Sequence, residues 1–339
     1  MMRPFEYVSP KTQAQAFSLL GTSWGQTEVL AGGTDLLALM KDDVARPKRL
    51  VNIKSIEGLH NSLMARSQGS TAANGVTIGA LVTLGDLAES PKLQSAFMQD
   101  YPALAEAVGE AASPQIRSIA TLGGNLCQRP RCWYFRNGFG LLPQDESGKD
   151  LVVAGENRFH AILGNDGRAK FVSPSTIVPI LIAYGAKIQI VGPKGKRELP
   201  LEKFYLIPKS NDEREHDLRP NEIVTSVTLP SSQGVKAAHY EIRQKAAFDW
   251  PLAVSAVALK MDGDKVSSAR VVMGYVAPVP WPSPEAEQAL VGKAVNEETA
   301  KAAAEAALKN ATPLSQNAYK VQLAKVSLKR AILKAGGAA

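Results

Sequence analysis

Two short glycine-rich segments contain the residues whose types and spacing could do chemistry. Ala31-Gly32-Gly33-Thr34-Asp35 and Thr121-Leu122-Gly123-Gly124-Asn125 each combine two adjacent glycines with side chains that can hydrogen-bond. Adjacent glycines allow positive φ and a close approach of the backbone to a bulky anion, so that successive N–H groups can converge on phosphate oxygens. Either segment alone is more typical of a simple turn. Together they predict a site in which two main-chain amide cradles close on one diphosphate.

The surroundings of the first segment narrow the kind of site. A helix is predicted directly after it, over 36–41, and the partial positive charge of a helix N-terminus favours an anion. Asp35 precedes that helix, where an acidic residue is as typical of a cap as of a ligand. Neither segment matches G-x-G-x-x-G or G-x-x-x-x-G-K-[ST], which disfavours a Rossmann or P-loop site.

Catalysis by side chains is not indicated. The sequence shows no defensible Ser/His/Asp set, pair of catalytic carboxylates or G-x-S-x-G elbow, so the chemistry would belong to a bound cofactor. Two cysteines cannot by themselves close a four-ligand metal site, and no metal site is predicted. The histidines are widely spread and are interpreted as ordinary surface or core residues: His60, His160, His216 and His239.

The elements that must position the glycine segments are strands and helices in mixed order. Strand, short helix and strand at 28–30, 36–41 and 49–53 predict a parallel pair with a crossover. A helix is predicted to start at Ser173 and run through Tyr184. The other predicted elements are a helix over 12–20, a strand over 75–79, a helix capped by Thr83, a helix over 102–112, a hairpin of 187–191 and 197–200, strands over 239–245, 252–261 and 268–274, and helices over 298–309 and 316–333. This pattern predicts an α+β fold.

Composition places the chain among ordinary globular proteins. Its 339 residues are 45% hydrophobic and 21% charged, with a formal net charge of +7. The charges are scattered, and no basic stripe interleaved with aromatic residues is visible, so no nucleic-acid partner is predicted. The longest apolar stretch, 177–186, is far shorter than the ~18 residues that span a bilayer, so no membrane insertion is predicted. We expect a cytoplasmic globular protein.

The two glycine segments also carry a family resemblance. Ala31-Gly32-Gly33-Thr34-Asp35-Leu36-Leu37 and Gln115-Ile116-Arg117-x-x-Ala120-Thr121-x-Gly123-Gly124-Asn125 resemble the two flavin-pyrophosphate loops of the FAD-binding medium subunits of the molybdenum hydroxylase family. That family includes xanthine dehydrogenase, aldehyde oxidoreductase and carbon monoxide dehydrogenase. The similarity covers nearly the whole chain, through Phe5-Glu6-Tyr7, Lys245-Ala246-Ala247-Phe248-Asp249-Trp250 and Pro313-Leu314-Ser315-x-x-Ala318-Tyr319.

The resemblance implies a fold and a cofactor. The implied fold is α+β, with a vanillyl-alcohol-oxidase (PCMH)-type FAD-binding module at 1–232, made of two α/β subdomains at about 1–57 and 58–232. A C-terminal domain of sheet and helices, of the CO dehydrogenase flavoprotein type, would follow at 236–336. The implied FAD-binding residues are Leu30, Ala31, Gly32, Gly33, Thr34, Asp35, Leu36 and Leu37 on one side, and Thr121, Gly123, Gly124 and Asn125 on the other, with Ser113, Thr176 and Lys245 as further contacts.

One of these implied contacts departs from the family's sequence pattern, and another has a second explanation. The family places Pro-Ser-Asp near the flavin, whereas this chain has Pro174-Ser175-Thr176, so the carboxylate is replaced and that contact is in doubt. Lys245 lies in the family's basic strand, and a solvated surface lysine explains it equally well.

The segment from Cys127 to Arg136 resembles one branch of the family. In that branch, which includes periplasmic aldehyde oxidoreductase, the FAD subunit carries an extra [4Fe–4S] cluster, and Cys132 occupies the place of its first cysteine. The other cluster cysteines are absent here, and a cubane needs four ligands. The resemblance therefore implies an insertion kept without its metal, and free thiols are favoured over a Cys127–Cys132 disulfide. Arg129, Arg131 and Arg136 would form either a docking face or a solvated loop.

The resemblance implies an FAD-binding electron-transfer subunit of a multi-subunit molybdenum hydroxylase. Its expected partners are a molybdopterin-binding large subunit and a 2Fe–2S small subunit, from whose clusters electrons would pass to a terminal acceptor. Because a family member can be exported folded with a signal-bearing partner, a periplasmic location is the alternative to a cytoplasmic one. The alternative function is a non-catalytic scaffold that keeps the fold and has lost flavin.

Overall fold

The N-terminal unit is a small parallel sheet flanked by helices. The structure, a computed structural model, describes residues 2–59, 64–65, 75–89, 99–245 and 248–338, so the interpretation of His60 lies outside the described residues. The elements are β1 (Glu6–Val8), α1 (Gln13–Leu19), β2 (Thr27–Leu30), α2 (Leu36–Lys41) and β3 (Arg49–Asn52). β3 pairs in parallel with both β1 and β2, which confirms the predicted parallel pair.

The second unit is an antiparallel sheet with helices before and between its strands. Its first elements are β4 (Met64–Ala65), β5 (Val76–Gly79), α3 (Leu84–Glu89), α4 (Pro102–Glu110), α5 (Pro114–Arg117), α6 (Leu122–Leu126), α7 (Trp133–Arg136), α8 (Leu151–Ala154) and α9 (Val178–Ala183). The hairpin β6 (Lys187–Gly192) and β7 (Gly195–Pro200) is followed by a 3₁₀ turn at Leu201–Lys203 and by β8 (Ile223–Leu229). The strand order is β4-β5-β8-β6-β7. The hairpin and the Thr83 cap of α3 are both confirmed.

The C-terminal unit is a four-stranded antiparallel sheet covered by helices. It comprises β9 (Val235–Arg243), β10 (Pro251–Asp262), β11 (Lys265–Gly274), β12 (Trp281–Pro282), α10 (Pro284–Leu290), α11 (Glu297–Ala307) and α12 (Tyr319–Gly336), with strand order β12-β11-β10-β9. Ala300, Ala303, Ala304 and Ala307 form the buried face of α11, because helical positions three and four apart share one side. These small residues pack in one core with apolar residues of β10 and α12.

One predicted helix starts later than expected. The helix predicted from Ser173 begins at Val178, because the residues before it make contacts elsewhere. The Ser173 amide donates to the Ala277 carbonyl at 2.9 Å, and the Ser175 hydroxyl donates to Asn125 Oδ1 at 2.6 Å. These long-range bonds hold the segment in a non-helical conformation.

A buried lysine joins the C-terminal helix to distant parts of the chain. Lys320, in the first turn of α12, is 1% exposed. Its Nζ donates to the carbonyls of Phe159 at 3.2 Å, His160 at 3.0 Å and Tyr275 at 2.7 Å. An ammonium has three donors, and all three have acceptors here. The same burial lowers the Lys320 pKa to about 7.

Among the described helices, none has the length and apolar character needed to cross a bilayer.

Candidate functional site

The two glycine segments meet in one cavity between the parallel sheet and the five-stranded sheet. The cavity has a volume of about 290 Å³, and its wall includes both glycine pairs. The backbone just before the second segment approaches the first so closely that a Cβ placed on Gly32 would lie 2.2 Å from the Ile119 carbonyl oxygen. Glycine is therefore required at position 32 by its contact with this backbone.

The first segment presents main-chain amides to the cavity. Gly32, Gly33, Thr34, Asp35 and Leu36 all line it. Within the described residues, the five amides of 32–36 have no hydrogen-bond acceptor, while the next amide, of Leu37, donates to the Gly33 carbonyl at 3.0 Å. Gly33 has φ of +76°, a conformation that glycine adopts without steric cost. Open consecutive amides of this kind form an anion-binding concavity.

The second segment is built differently from the expectation. Gly123 and Gly124 lie inside α6 and do not have positive φ, so the interpretation that both pairs serve left-handed conformations is wrong for this one. The Thr121 hydroxyl accepts from the Gly124 amide at 3.1 Å, and the Gly123 amide donates to the Ala80 carbonyl at 2.8 Å. A Cβ on Gly123 would lie 2.9 Å from the Ala80 Cβ. The second segment thus contributes a close-packed wall rather than a second set of open amides.

Asp35 is neither a helix cap nor exposed. Its side chain makes no capping hydrogen bond to α2, so the capping interpretation is wrong. Instead it accepts from the Arg129 amide at 2.8 Å and from Arg136 Nη2 at 2.7 Å, and Arg131 Nη2 lies 3.0 Å away. The arginines lie 94 to 101 positions along the chain from Asp35, which explains why local sequence suggested a cap.

The same contacts revise the interpretation of the arginine segment. The side chains of Arg129, Arg131 and Arg136 are only 14–28% exposed. Arg129 also pairs with Glu215 at 2.9 Å. A solvated loop does not describe these residues, because their guanidinium groups are engaged within the chain and hold the segment against the first glycine segment. The docking face stays a prediction.

The far side of the cavity is lined by charged residues that the sequence did not single out. Glu28 pairs with Arg214 at 2.7 Å, and the Arg214 guanidinium lies 4.5 Å above the Trp24 ring. Burial raises the Glu28 pKa to about 7, against the effect of the Arg129 charge. His216 also lines the cavity; it stacks on Phe204 at 5.1 Å, and burial lowers its pKa to about 4. The run 211–219, rich in charge, is typical of a solvated loop, so no sequence signal pointed to Arg214 or His216.

The predicted site residues divide into two groups. The cavity wall includes Ala31, Gly32, Gly33, Thr34, Asp35, Leu36, Thr121, Gly123 and Gly124. The others lie elsewhere: Leu30 and Leu37 pack with Met40 and Leu50, Ser113 caps α5 through the Ile116 amide, Asn125 accepts from Ser175, Thr176 is 3.4 Å from the Tyr275 hydroxyl, and Lys245 is exposed. Gly32 lies where the first segment contacts the backbone just before the second. For the six residues outside the cavity wall, contact with FAD remains a prediction.

Both cysteines are free thiols. Cys127 lines the cavity, and burial raises its pKa to about 12. The Cys132 Sγ lies 3.2 Å from His160 Nε2, and burial raises its pKa as well. At neutral pH both sulfurs are therefore protonated, and neither is an activated nucleophile.

The fold and the cavity define a protein of mixed α and β structure whose first part has a cavity lined by open main-chain amides. Comparison with known sequences gives the class. The profile of the FAD binding domain in molybdopterin dehydrogenase matches residues 3–232, and that of the CO dehydrogenase flavoprotein C-terminal domain matches residues 238–335. The chain belongs to the family of FAD-binding medium subunits of molybdenum hydroxylases, which confirms the resemblance.

Individual relatives match along nearly their whole length. The chain is 31% identical over 336 residues to the aldehyde oxidoreductase FAD-binding subunit PaoB of Escherichia coli K12, covering 98% of this chain and 99% of the relative. It is 31% identical to the carbon monoxide dehydrogenase medium chain of Hydrogenophaga pseudoflava, covering 97% and 96%. The solved carbon monoxide dehydrogenase from that organism, which lacks the Mo-pyranopterin moiety of its cofactor, superposes with a TM-score of 0.76 at 28% identity, covering 100% and 99%.

FAD is the cofactor of this family, and the residues present fit it. A diphosphate needs several convergent hydrogen-bond donors at a place where the backbone can approach closely. The open amides of 32–36 supply such donors at the cavity wall, where Gly32 and Gly33 carry no side chain. The α+β fold of FAD-binding domain and C-terminal domain is that of the carbon monoxide dehydrogenase medium subunits.

Proposed function

We propose that this chain is the FAD-binding electron-transfer subunit of a multi-subunit molybdenum hydroxylase of the aldehyde or xanthine dehydrogenase type. The proposed partners are a large subunit that binds molybdopterin and a small subunit with 2Fe–2S clusters. The redox chemistry of FAD would link the one-electron centres of a partner to a terminal acceptor. The names of the relatives support this proposal, since they are FAD-binding subunits or medium chains of such oxidoreductases.

The observation that carries the proposal is the row of open amides at 32–36 in the wall of the shared cavity. In this proposal those amides hold the diphosphate of FAD, and the second segment, with Thr121, Gly123 and Gly124, closes the same pocket. Arg214 and Arg129 add positive charge to the wall beside Glu28 and Glu215. The chain's own residues thus bind and orient the cofactor, and they contribute no acid–base catalysis.

The domain boundaries and the location are part of the same proposal. We place the FAD-binding domain at 1–232, with subdomains at about 1–57 and 58–232, and the C-terminal domain at 236–336. The two free, partly buried thiols favour a reducing compartment, so a cytoplasmic location is proposed. Cell fractionation of the assembled complex tests this, because recovery in the periplasm would require export in the folded state.

The first experiment measures flavin directly. The untagged full chain is purified, its visible spectrum recorded, and released FAD quantified per chain. One FAD per chain, or its recovery when FAD is added to the apoprotein, is expected. A colourless chain that stays apo with excess FAD would favour a scaffold, a function in keeping with Thr176 standing where the family has a carboxylate.

The second experiment tests electron transfer and partners. The chain is co-expressed with candidate large and small subunits, and the metals and flavin of the purified complex are measured. Rapid mixing with reducing substrate should reduce the flavin only when the iron–sulfur subunit is present. A flavin that is reduced equally fast without that subunit would contradict the proposed route of electrons.

A further inference from the structure

A second polar cluster lies at the junction of α4 with β9, and none of its members lines the cavity. Glu110 is the last residue of α4, while His239 and Glu241 are two positions apart on β9. Residues two apart in a strand share one face of the sheet, so both side chains meet the end of the helix. One ligand atom from each of the three residues lies within 4.8 Å of the others.

The fully buried imidazole of the cluster lacks hydrogen bonds. His239 is fully buried, and within the described residues neither ring nitrogen has a hydrogen-bond partner. Its Nε2 lies 3.6 Å from Glu110 Oε2 and 3.7 Å from Glu241 Oε2, beyond hydrogen-bond length. The Glu241 side chain is 4% exposed, and its carboxylate contacts the Arg243 guanidinium. Because buried polar groups are almost always satisfied, the unpartnered imidazole of His239, aimed at two carboxylates, points to a missing ligand.

Two cations face the cluster and limit what that ligand can be. Arg243, on the same strand, contacts the Glu241 carboxylate and donates to the Glu110 carbonyl at 3.0 Å. Lys334, from α12, lies 3.4 Å from the His239 carbonyl and pairs with Glu106. Arg243 Nη2 also lies 3.7 Å from Glu110 Oε2, so the two carboxylates share one guanidinium. A cation that bound here would compete with Arg243 for Glu241.

We propose that Glu110, His239 and Glu241 bind a divalent transition-metal cation, with Zn²⁺ as the best fit. One imidazole nitrogen and two carboxylate oxygens are ligands that Zn²⁺ accepts, and three protein ligands leave a position for water. Glu110 is 39% exposed, which gives the ion a way in from solvent. Glu110 lies in the part of the chain matched by the FAD-binding profile, and the other two lie in the part matched by the C-terminal profile. The bound ion would therefore join the two regions.

The test uses the untagged full chain, stripped with a chelator and dialysed. Titration with Co²⁺, followed by its ligand-field absorption, and with Zn²⁺, followed by competition with a chromophoric chelator, should each show one equivalent bound. Glu110→Gln should weaken binding by at least about tenfold, the lower end of what even an outer-shell loss costs a metal site. Arg243→Gln should strengthen it, because Glu241 is released. Glu305→Gln, at an exposed position of α11 outside the cluster, is the matched control and should leave affinity unchanged.

Measurements of the unfolding temperature and of the FAD content distinguish the proposed metal site from the proposed FAD site. Zn²⁺ should raise the unfolding temperature of the wild-type chain and not that of Glu110→Gln, while both unfold alike in chelator. The FAD content of both should be equal, so loss of flavin would not bear on the metal site. Absence of binding, or binding that Glu110→Gln and His239→Asn leave unchanged, would overturn the proposal.

Discussion

Replacement of Gly32 by alanine tests whether contact of the first glycine segment with the backbone just before the second shapes the cofactor cavity. The new Cβ would lie 2.2 Å from the Ile119 carbonyl oxygen and 3.0 Å from its carbon. Both neighbours are backbone atoms, so no side chain can rotate away. To reach an ordinary van der Waals contact of 3.4 Å, the two segments must separate by about 1.2 Å. That movement displaces the open amides of 32–36.

The expected cost follows from this overlap. Overpacking of a well-packed region costs about 1–3 kcal/mol. If the free protein opens the cavity to relieve the strain, FAD binding must restore the strained contact. The affinity for FAD then falls by about 5- to 150-fold, by the usual conversion of free energy to affinity. If part of the strain stays in the free protein, the same energy is lost from the free energy of unfolding instead. The loss in binding free energy and the loss in unfolding free energy should therefore add up to the ~1–3 kcal/mol expected from the overlap.

The assay is titration of the apoprotein with FAD, followed by quenching of flavin fluorescence, together with urea unfolding. Gly167→Ala is the matched control, because its Cβ would meet no atom within 4 Å and Gly167 does not have positive φ. That variant should bind FAD and unfold as the wild type does. A Gly32→Ala chain with wild-type affinity and wild-type stability would refute the reasoning, since the overlap with Ile119 would then have no energetic consequence.

Three further predictions concern buried charges. Asp35→Asn should destabilise the chain by about 1–3 kcal/mol in urea unfolding and weaken FAD binding, since the buried Arg136 loses its charged partner. The pKa of His216 falls to about 4 in the folded chain, so between pH 6.5 and 4 the unfolded chain binds one proton more than the folded chain. The free energy of unfolding should therefore decrease as the pH falls through this range. His216→Gln should reduce the number of protons taken up on unfolding in this range by about one. Lys320→Met should lower the free energy of unfolding by about 3 kcal/mol or more by leaving three carbonyls without a donor, whereas Met at the exposed Lys301 should change it by less than about 0.5 kcal/mol.

Local pattern was sufficient to predict much of the fold. The β2–α2–β3 unit, the β6–β7 hairpin and the Thr83 cap each depend on residues close in sequence, so periodicity and capping rules applied. The helix expected from Ser173 began later because Ser173 and Ser175 bond to Ala277 and Asn125, far along the chain. A local rule cannot include such partners.

The cavity was predictable only in part, for the same reason. Paired glycines marked both walls, yet their reasons differ: Gly33 has positive φ, while Gly123 lies against Ala80. The role of Asp35 depends on Arg136, and that of Glu28 on Arg214, 186 positions away. The charges of 211–219 resemble a solvated loop until the fold brings them to the cavity.

The three bonds of Lys320 have a consequence for how the chain is made. A ribosome synthesises α12 after residues 159–275, so the carbonyls of Phe159, His160 and Tyr275 are made before their shared donor. A chain that stops short of this helix keeps three acceptors without a donor in a region that excludes water, and it also lacks the apolar cover of the final sheet. Synthesis of this eighteen-residue helix is therefore the step at which the C-terminal sheet gains its apolar cover and the three carbonyls gain their donor.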